Sequence, residues 1–347
     1  MGNPTRLHYL DWMRGLAILI MLQGHAVHSW MRDDLRRSDF FELSQLVAGL
    51  PAAMFLFMTG ISLVILLRGR GGFGWRQVGR RAGYILGIAL LFRLQQWAFY
   101  WPHSSARDLL KADILNSMGV ALGLAGGLMV VTPERWRAPA AGLAALAVAM
   151  ATPLVWKLPA GPLPGFLMGY LVGSPQTANF PLFPWASYAF TGVMAGLLLL
   201  GRKERPELDR AMQWMVLAAL TLLVAARFFD SIPFSYYQPY NYWLTSPNLV
   251  ANRTAVVLLL LALSYGWTSV AAPERFSWVC QMGRTSLLIY WVHIELVYGR
   301  FLAFPQHRLD AWEAAAAVAC LMGAMLLLSL ARTRWRGFRV NAWRLSS

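Results

Sequence analysis

Charge and cysteine are what this sequence has least of. Only 14% of its 347 residues are Asp, Glu, Lys or Arg, where a soluble globular chain carries about 25%. Acidic residues are the scarcer sign, 16 against 31 basic ones. No long polar stretch separates the apolar runs, so an appended soluble domain is not expected. The two cysteines, Cys280 and Cys320, both lie in apolar segments. They are expected as free buried thiols, not as a disulfide or a metal site. There is no G-x-x-x-x-G-K-[S/T] phosphate loop, which argues against ATP-driven transport by this chain alone. Neither H-E-x-x-H metal spacing nor a G-x-S-x-G nucleophile elbow occurs, which argues against a zinc hydrolase and a serine acyl-enzyme. Asp11 and Arg14 interrupt the first apolar run and no small-residue cleavage site follows it. That run is expected to remain as a signal-anchor helix.

What is abundant is apolar sequence, 57% of the chain. Ten apolar segments lie near 9–31, 44–67, 82–101, 109–131, 138–156, 183–201, 211–229, 249–270, 278–301 and 311–331. Each approaches the ~20 residues needed to cross a bilayer as a helix. The expectation is an all-α polytopic membrane protein of about ten transmembrane helices, forming one domain over 1–347. The fifth segment is the weakest because it holds Pro153. The Pro- and Gly-rich stretch 157–182 is either a long loop or a re-entrant segment, the latter tolerated only under cover of protein or water.

Loop charge orients the chain. One set of loops holds Arg68, Arg70, Arg76, Arg80 and Arg81, then Arg135 and Arg137, then Arg202, Lys203, Arg205 and Arg210, and the arginine-rich tail from Arg332. The opposite set is poorer, and its Arg32, Arg36 and Arg37 are offset by Asp33, Asp34, Asp39 and Glu42. Both termini are therefore expected in the cytoplasm, in a cytoplasmic (inner) membrane. The net charge of +15 follows from this bias. Nucleic acid is not an expected partner, because no basic block with interleaved exposed aromatics occurs.

A charge inside a membrane helix costs at least ~2.5–3.5 kcal/mol at mid-depth, so each one needs a reason. The first segment holds Asp11, Arg14, Gln23, His25 and His28. Arg14 and His25 are 11 residues apart. On a helix they differ by only ~20° in azimuth and lie ~16 Å apart along the axis. Asp11 and His28 flank them near the same face. Such a stripe suits group transfer across a membrane. A cation near the cytoplasmic edge can hold an anionic donor. A deeper imidazole can take a proton from an acceptor hydroxyl or amine. The structural alternative is an Arg14 that snorkels to the interface and a His25 that bonds another helix.

The R-x10-H spacing of Arg14 and His25 resembles that of the membrane acyltransferases of the acyltransferase-3 type and of the wider transmembrane acyltransferase superfamily. YLDWMRGLAILIMLQGH is similar to the opening of the bacterial relatives of heparan-α-glucosaminide N-acetyltransferase. MFLFMTGISLVI (54–65), FPLFPWASYAFTGVMAGLLL (180–199) and GRTSLLIYWVHI (283–294) follow in the order expected of that group. The resemblance implies a transmembrane acyltransferase fold and an acyl-CoA donor, usually acetyl-CoA, with no metal. It implies an acceptor that is often an amino sugar or glycan, reached from the other side. It places a catalytic histidine on His25 and a donor-side arginine on Arg14, with His28 a competitor for the catalytic role. The acceptor identity does not transfer with it.

Other candidates have two readings each. Arg284 is a second ligand for the donor's phosphates or an interfacial anchor. His293 lines the acceptor side or is a satisfied structural histidine, and on the ninth helix it points away from Arg284. Arg93 and Asp113 form a structural ion pair across a hairpin. Alternatively, Asp113 orients a catalytic histidine, Arg93 joins the donor's ligands and Asn116 stabilises the oxyanion. Tyr237, Tyr240 and Trp243, followed by Asn252 and Arg253, would suit a sugar ring, or else form an aromatic belt at the headgroups. The leading expectation is an acyl-CoA-dependent N- or O-acyltransferase acting on a glycan or lipid-linked sugar among membrane lipids, with a homodimer left open. The rival is a transporter or flippase of a polar lipid or glycan, against which the absence of two halves with matching hydropathy counts.

Overall fold

The computed structural model describes residues 7–68, 74–158, 165–173, 179–202, 204–232, 241–271 and 276–345. Thirteen α-helices lie among them, and no strand beyond an isolated parallel bridge between Met31 and Leu309. In chain order they are α1 (His8–Trp30), α2 (Asp39–Ala48), α3 (Leu50–Arg68), α4 (Trp75–Phe99), α5 (Ile114–Val131), α6 (Arg137–Val155), α7 (Gly165–Leu171), α8 (Leu182–Leu199), α9 (Arg205–Asp230), α10 (Pro247–Val270), α11 (Trp278–Arg284), α12 (Ser286–Val297) and α13 (Ala311–Leu345). The chain is an all-α, multi-pass membrane protein.

Seven stretches among the described residues are long and apolar enough to cross a bilayer: Asp39–Arg68, Ile114–Val131, Glu134–Val155, Leu182–Leu199, Arg205–Asp230, Pro247–Val270 and Ala311–Trp335. The other three of the ten expected segments are helical but depart from that pattern for identifiable reasons. In α1 the polar stripe dilutes the apolar content. In α4 the N-terminal turns carry Arg76, Arg80 and Arg81, and Arg93 lies deeper. The ninth segment divides at Thr285, whose φ of −115° and ψ of 22° interrupt the helix. The Thr285 hydroxyl donates to Ser329 Oγ at 2.6 Å. Gln281 Nε2 donates to Ser329 Oγ at 2.9 Å and to Thr333 Oγ1 at 2.6 Å. These bonds clasp the break against α13. The helical phase therefore does not run from Arg284 to His293, and the expected face relation between them does not apply.

Local sequence accounts for several boundaries. Asp113 and Asn116 form a capping box at the start of α5, so the fourth segment begins its helix at Ile114, not 109. Ser38 caps α2 and Ser277 caps α11 through their hydroxyls. Pro153 is accommodated in the last turn of α6. Within the Pro- and Gly-rich stretch, residues 165–171 form the short helix α7. Cys280 is buried as expected, but Cys320 lies exposed on the outward side of α13. An apolar helix facing lipid presents its side chains outward, which segment hydropathy alone cannot reveal.

Two compact units are present: Met1–Pro51 with Leu263–Ser347, and Ala52–Ala262. Each contains a helix crossing at which glycine lets two backbones meet. In the first, α1 crosses α11 so closely that a Cβ on Gly15 would overlap the Val279 carbonyl, and one on Gly283 the Asp11 carbonyl. In the second, a Cβ on Gly192 of α8 would overlap the Phe57 carbonyl of α3. Small residues permit such backbone approach between membrane helices, where packing and not hydrophobicity drives association. Gly15→Val and Gly283→Val should each destabilise the protein by about 1–3 kcal/mol through overpacking, read as a lower Tm of the purified chain. Gly323→Ala, where a Cβ meets open space, should leave the Tm unchanged.

Candidate active site

The first unit gathers the polar residues of α1. α1 is one uninterrupted helix, so Asp11, Arg14, His25 and His28 keep the register expected of them. At its N-terminal end the Asp11 carboxylate, 3% exposed, lies between two guanidinium groups. Arg14 Nη1 is 3.3 Å from one of its oxygens and Arg284 Nε 3.7 Å from the other. The glycine crossing of α1 and α11 is what brings Arg284 there. Among the described residues, two guanidinium groups share this one buried carboxylate.

Arg284 also lines a cavity of about 910 Å³. Its walls include His8, Trp12, Trp267, Trp278 and Gln281. The Trp12 and Trp267 rings face each other at 6.2 Å, inclined by 37°. Flat aromatic walls beside an arginine suit a ligand with an aromatic base and phosphates.

Further along α1, His25 meets His293 of α12. His25 Nδ1 is 2.9 Å from His293 Nε2, and His293 Nδ1 is 2.9 Å from the Ile289 carbonyl oxygen. His293 is fully buried. The rings lie 5.2 Å apart between centroids and only 12° from parallel. That separation is the nitrogen–nitrogen contact plus two ring radii. The imidazoles therefore meet edge to edge near a common plane, the alignment an N–H···N bond requires. Tyr298 stands edge-on to His25 at 5.5 Å, and its hydroxyl is 3.4 Å from His28 Nδ1.

Beyond His25 a cluster missed in the sequence closes the C-terminal end of α1. Arg36 Nη2 donates to the His28 carbonyl at 2.6 Å, and Arg36 Nε lies 3.2 Å from Asp33. His307 Nδ1 lies 2.8 Å from the same carboxylate, whose pKa the hydrogen bond holds below its ordinary value. The segment around His307 docks through backbone bonds to Ser29 and Trp30. The contributing residues are scattered along the chain without a motif, so only a structure could group them.

In the second unit, Arg93 Nη2 and Asp113 Oδ2 pair at 3.2 Å, with both side chains largely buried. Asp113 also accepts from the Ile114 backbone N–H. Asn116 Oδ1 accepts from the Asp113 N–H at 3.2 Å, and its amide donates to the Tyr170 hydroxyl at 3.1 Å. Arg93 and Asp113 thus tie the α4–α5 hairpin together, and Asn116 links the start of α5 to α7. Trp243 and Arg253 share a second cavity of about 330 Å³ with Trp156, Trp185, Tyr188 and Ser246. The Arg253 guanidinium sits 5.4 Å from the centre of the Trp185 ring. Asn252 is held by Tyr242 at 3.2 Å. Tyr237 and Tyr240 lie outside the described residues.

Removing one partner of a buried ion pair strands the other charge. Arg93→Met should therefore destabilise the protein by on the order of 3 kcal/mol. Adding Asp113→Asn, which keeps the helix cap, should recover part of that loss, as read by thermal unfolding of the single and double variants.

Comparison with known proteins bears on the same helices. No curated protein matches the chain. The model of the family heparan-α-glucosaminide N-acetyltransferase, catalytic, matches residues 6–230, more than half of the chain, with Arg14, His25 and all of α1–α9 inside the match. On that match, and with the polar α1 it contains, the chain belongs to the heparan-α-glucosaminide N-acetyltransferase catalytic family, a family of membrane acetyltransferases.

Proposed function

We propose that this chain transfers an acyl group, acetyl first among them, from acyl-CoA to an amino or hydroxyl group of a glycan or lipid-linked sugar. The observation that carries the reading is the single helix α1. It holds Asp11 and Arg14, joined there by Arg284, beside a large aromatic-walled cavity at one end and a paired histidine towards the other. From Trp12 to His25 is 13 residues, on the order of 20 Å along a helix. An extended pantetheine arm covers that distance, so phosphates held at one end and a thioester at the other are compatible with one bound donor.

In this reading Arg284 and Arg14 hold the CoA phosphates, with Asp11 fixing both guanidinium groups. Trp12, Trp267 and Trp278 offer faces to the adenine. His25 takes the proton from the acceptor N–H or O–H as the nucleophile forms its bond to the thioester carbonyl. The C–S bond then breaks, and the departing thiolate collects the proton from His25. His28 is exposed and engaged with Tyr298, which supports His25 over His28 as the base. The cavity of Trp156, Trp185, Trp243 and Arg253 offers stacking faces and one cation to a sugar. The ten segments form one membrane domain, with both termini in the cytoplasm by loop charge.

Acetyl transfer or acetyl-CoA hydrolysis by the purified chain tests the assignment. His25→Ala should lower kcat by at least about 10²-fold, the usual contribution of a general base. His28→Ala should cost much less. Arg284→Gln should raise the KM for acetyl-CoA about tenfold with a smaller change in kcat, as loss of one charged hydrogen bond implies. Full activity in a folded His25→Ala protein would falsify the base assignment.

A further inference from the structure

His293 does more in this geometry than fill a buried position. Its Nδ1 lies 2.9 Å from the Ile289 carbonyl oxygen, and a carbonyl can only accept. The proton on a neutral His293 is therefore at Nδ1, which makes its Nε2 a bare lone pair. That lone pair lies 2.9 Å from His25 Nδ1. Two lone pairs cannot face each other at this distance, so His25 Nδ1 carries the hydrogen and donates. On a neutral His25 the remaining nitrogen, Nε2, then has no proton. One backbone carbonyl thus sets the proton positions of two imidazoles in series. The edge-to-edge, nearly coplanar arrangement of the rings is the one in which this chain of bonds is strongest.

We infer that His293 is the positioning residue for His25: it fixes His25 as the Nδ1–H tautomer and so presents Nε2 as the proton acceptor. When the acceptor's proton reaches His25 Nε2, both nitrogens of His25 become donors. The Nδ1–H bond to the neutral His293 becomes charge-assisted and so stronger. The proton returns from Nε2 to the thiolate, and both rings end as they began. His293 touches neither substrate, so its role differs from lining the acceptor side. The device does what a buried carboxylate does for the histidine of a hydrolytic triad, holding tautomer and orientation. It does so with a neutral ring, which spares the membrane interior a charge.

The inference rests on His25 being the base, and the experiment separates the two. Glutamine at 293 carries an amide oxygen to about where the imidazole Nε2 sits, whereas asparagine is one methylene short. His293→Gln should retain kcat within about tenfold of the parent. His293→Asn should lose about 10²-fold, as expected when a base is held in the wrong tautomer. The KM for acetyl-CoA should hold within about twofold in both. Nitrogen-15 NMR of histidine-labelled protein, with the His25 signals identified by their loss in His25→Gln, should show a protonated Nδ1 and a bare Nε2. That signature should survive in His293→Gln and disappear in His293→Asn. Equal kcat in the two variants overturns the inference while leaving His25 as the base, as long as His25→Ala is inactive. A His25 protonated at Nε2 in the parent protein overturns it even where the asparagine variant fails to fold. Activity retained in His25→Ala removes the base, and the inference with it.

Discussion

The close crossing of α1 and α11 is the constraint on which the candidate site depends. Gly15 and Gly283 have no side chains, and the two backbones approach until any Cβ would collide with a carbonyl. That approach puts Arg284 beside Asp11, which already pairs with Arg14 on its own helix. The break at Thr285, held by Ser329, then starts α12 in a new phase. From that start, His293 reaches His25. The two ends of the polar stripe are thus fixed by one contact between helices far apart in sequence.

Electrostatics explains why the arrangement is economical. A charge in hydrocarbon is costly unless paired and hydrogen-bonded. Asp11 lies within ion-pair reach of two arginines, and one of them, Arg284, borders the aromatic-walled cavity. Towards the other end of α1, His293 meets the Ile289 carbonyl through Nδ1 and His25 through Nε2. The Asp11–Arg14–Arg284 cluster thus lies at one end of α1 and the His25–His293 pair towards the other.

Much of this was legible in the sequence, for reasons that differ by residue. Segment hydropathy located the helices, because each must present ~20 apolar residues to lipid. The 11-residue spacing of Arg14 and His25 gave their shared face, because α1 is unbroken. The Arg93–Asp113 pair followed from a short hairpin. The same reasoning failed across 278–301, because a helix break resets azimuth and nothing in Gly283–Arg284–Thr285 declares a break as proline would. It also gave no partner for His25, since hydropathy and spacing carry no information on which distant segments pack together. Asp113 and Asn116 drew attention as polar residues at a helix start. The D-x-x-N capping box they form is a local signal that explains both.

His25 and His293 are separated by 268 positions in the chain. During synthesis the first helix is made with its arginine, aspartate and histidines while Arg284, His293 and Tyr298 are still untranslated. The early chain must therefore carry this polar face through membrane insertion supported only by neighbours such as α2, by water or by the insertion machinery. Neither half of the histidine pair exists as such until α12 arrives. The geometry of this cluster is consequently set only once α11 and α12 have been made. A truncated product ending before α11 would hold the residues of the polar stripe without the means to order their protons.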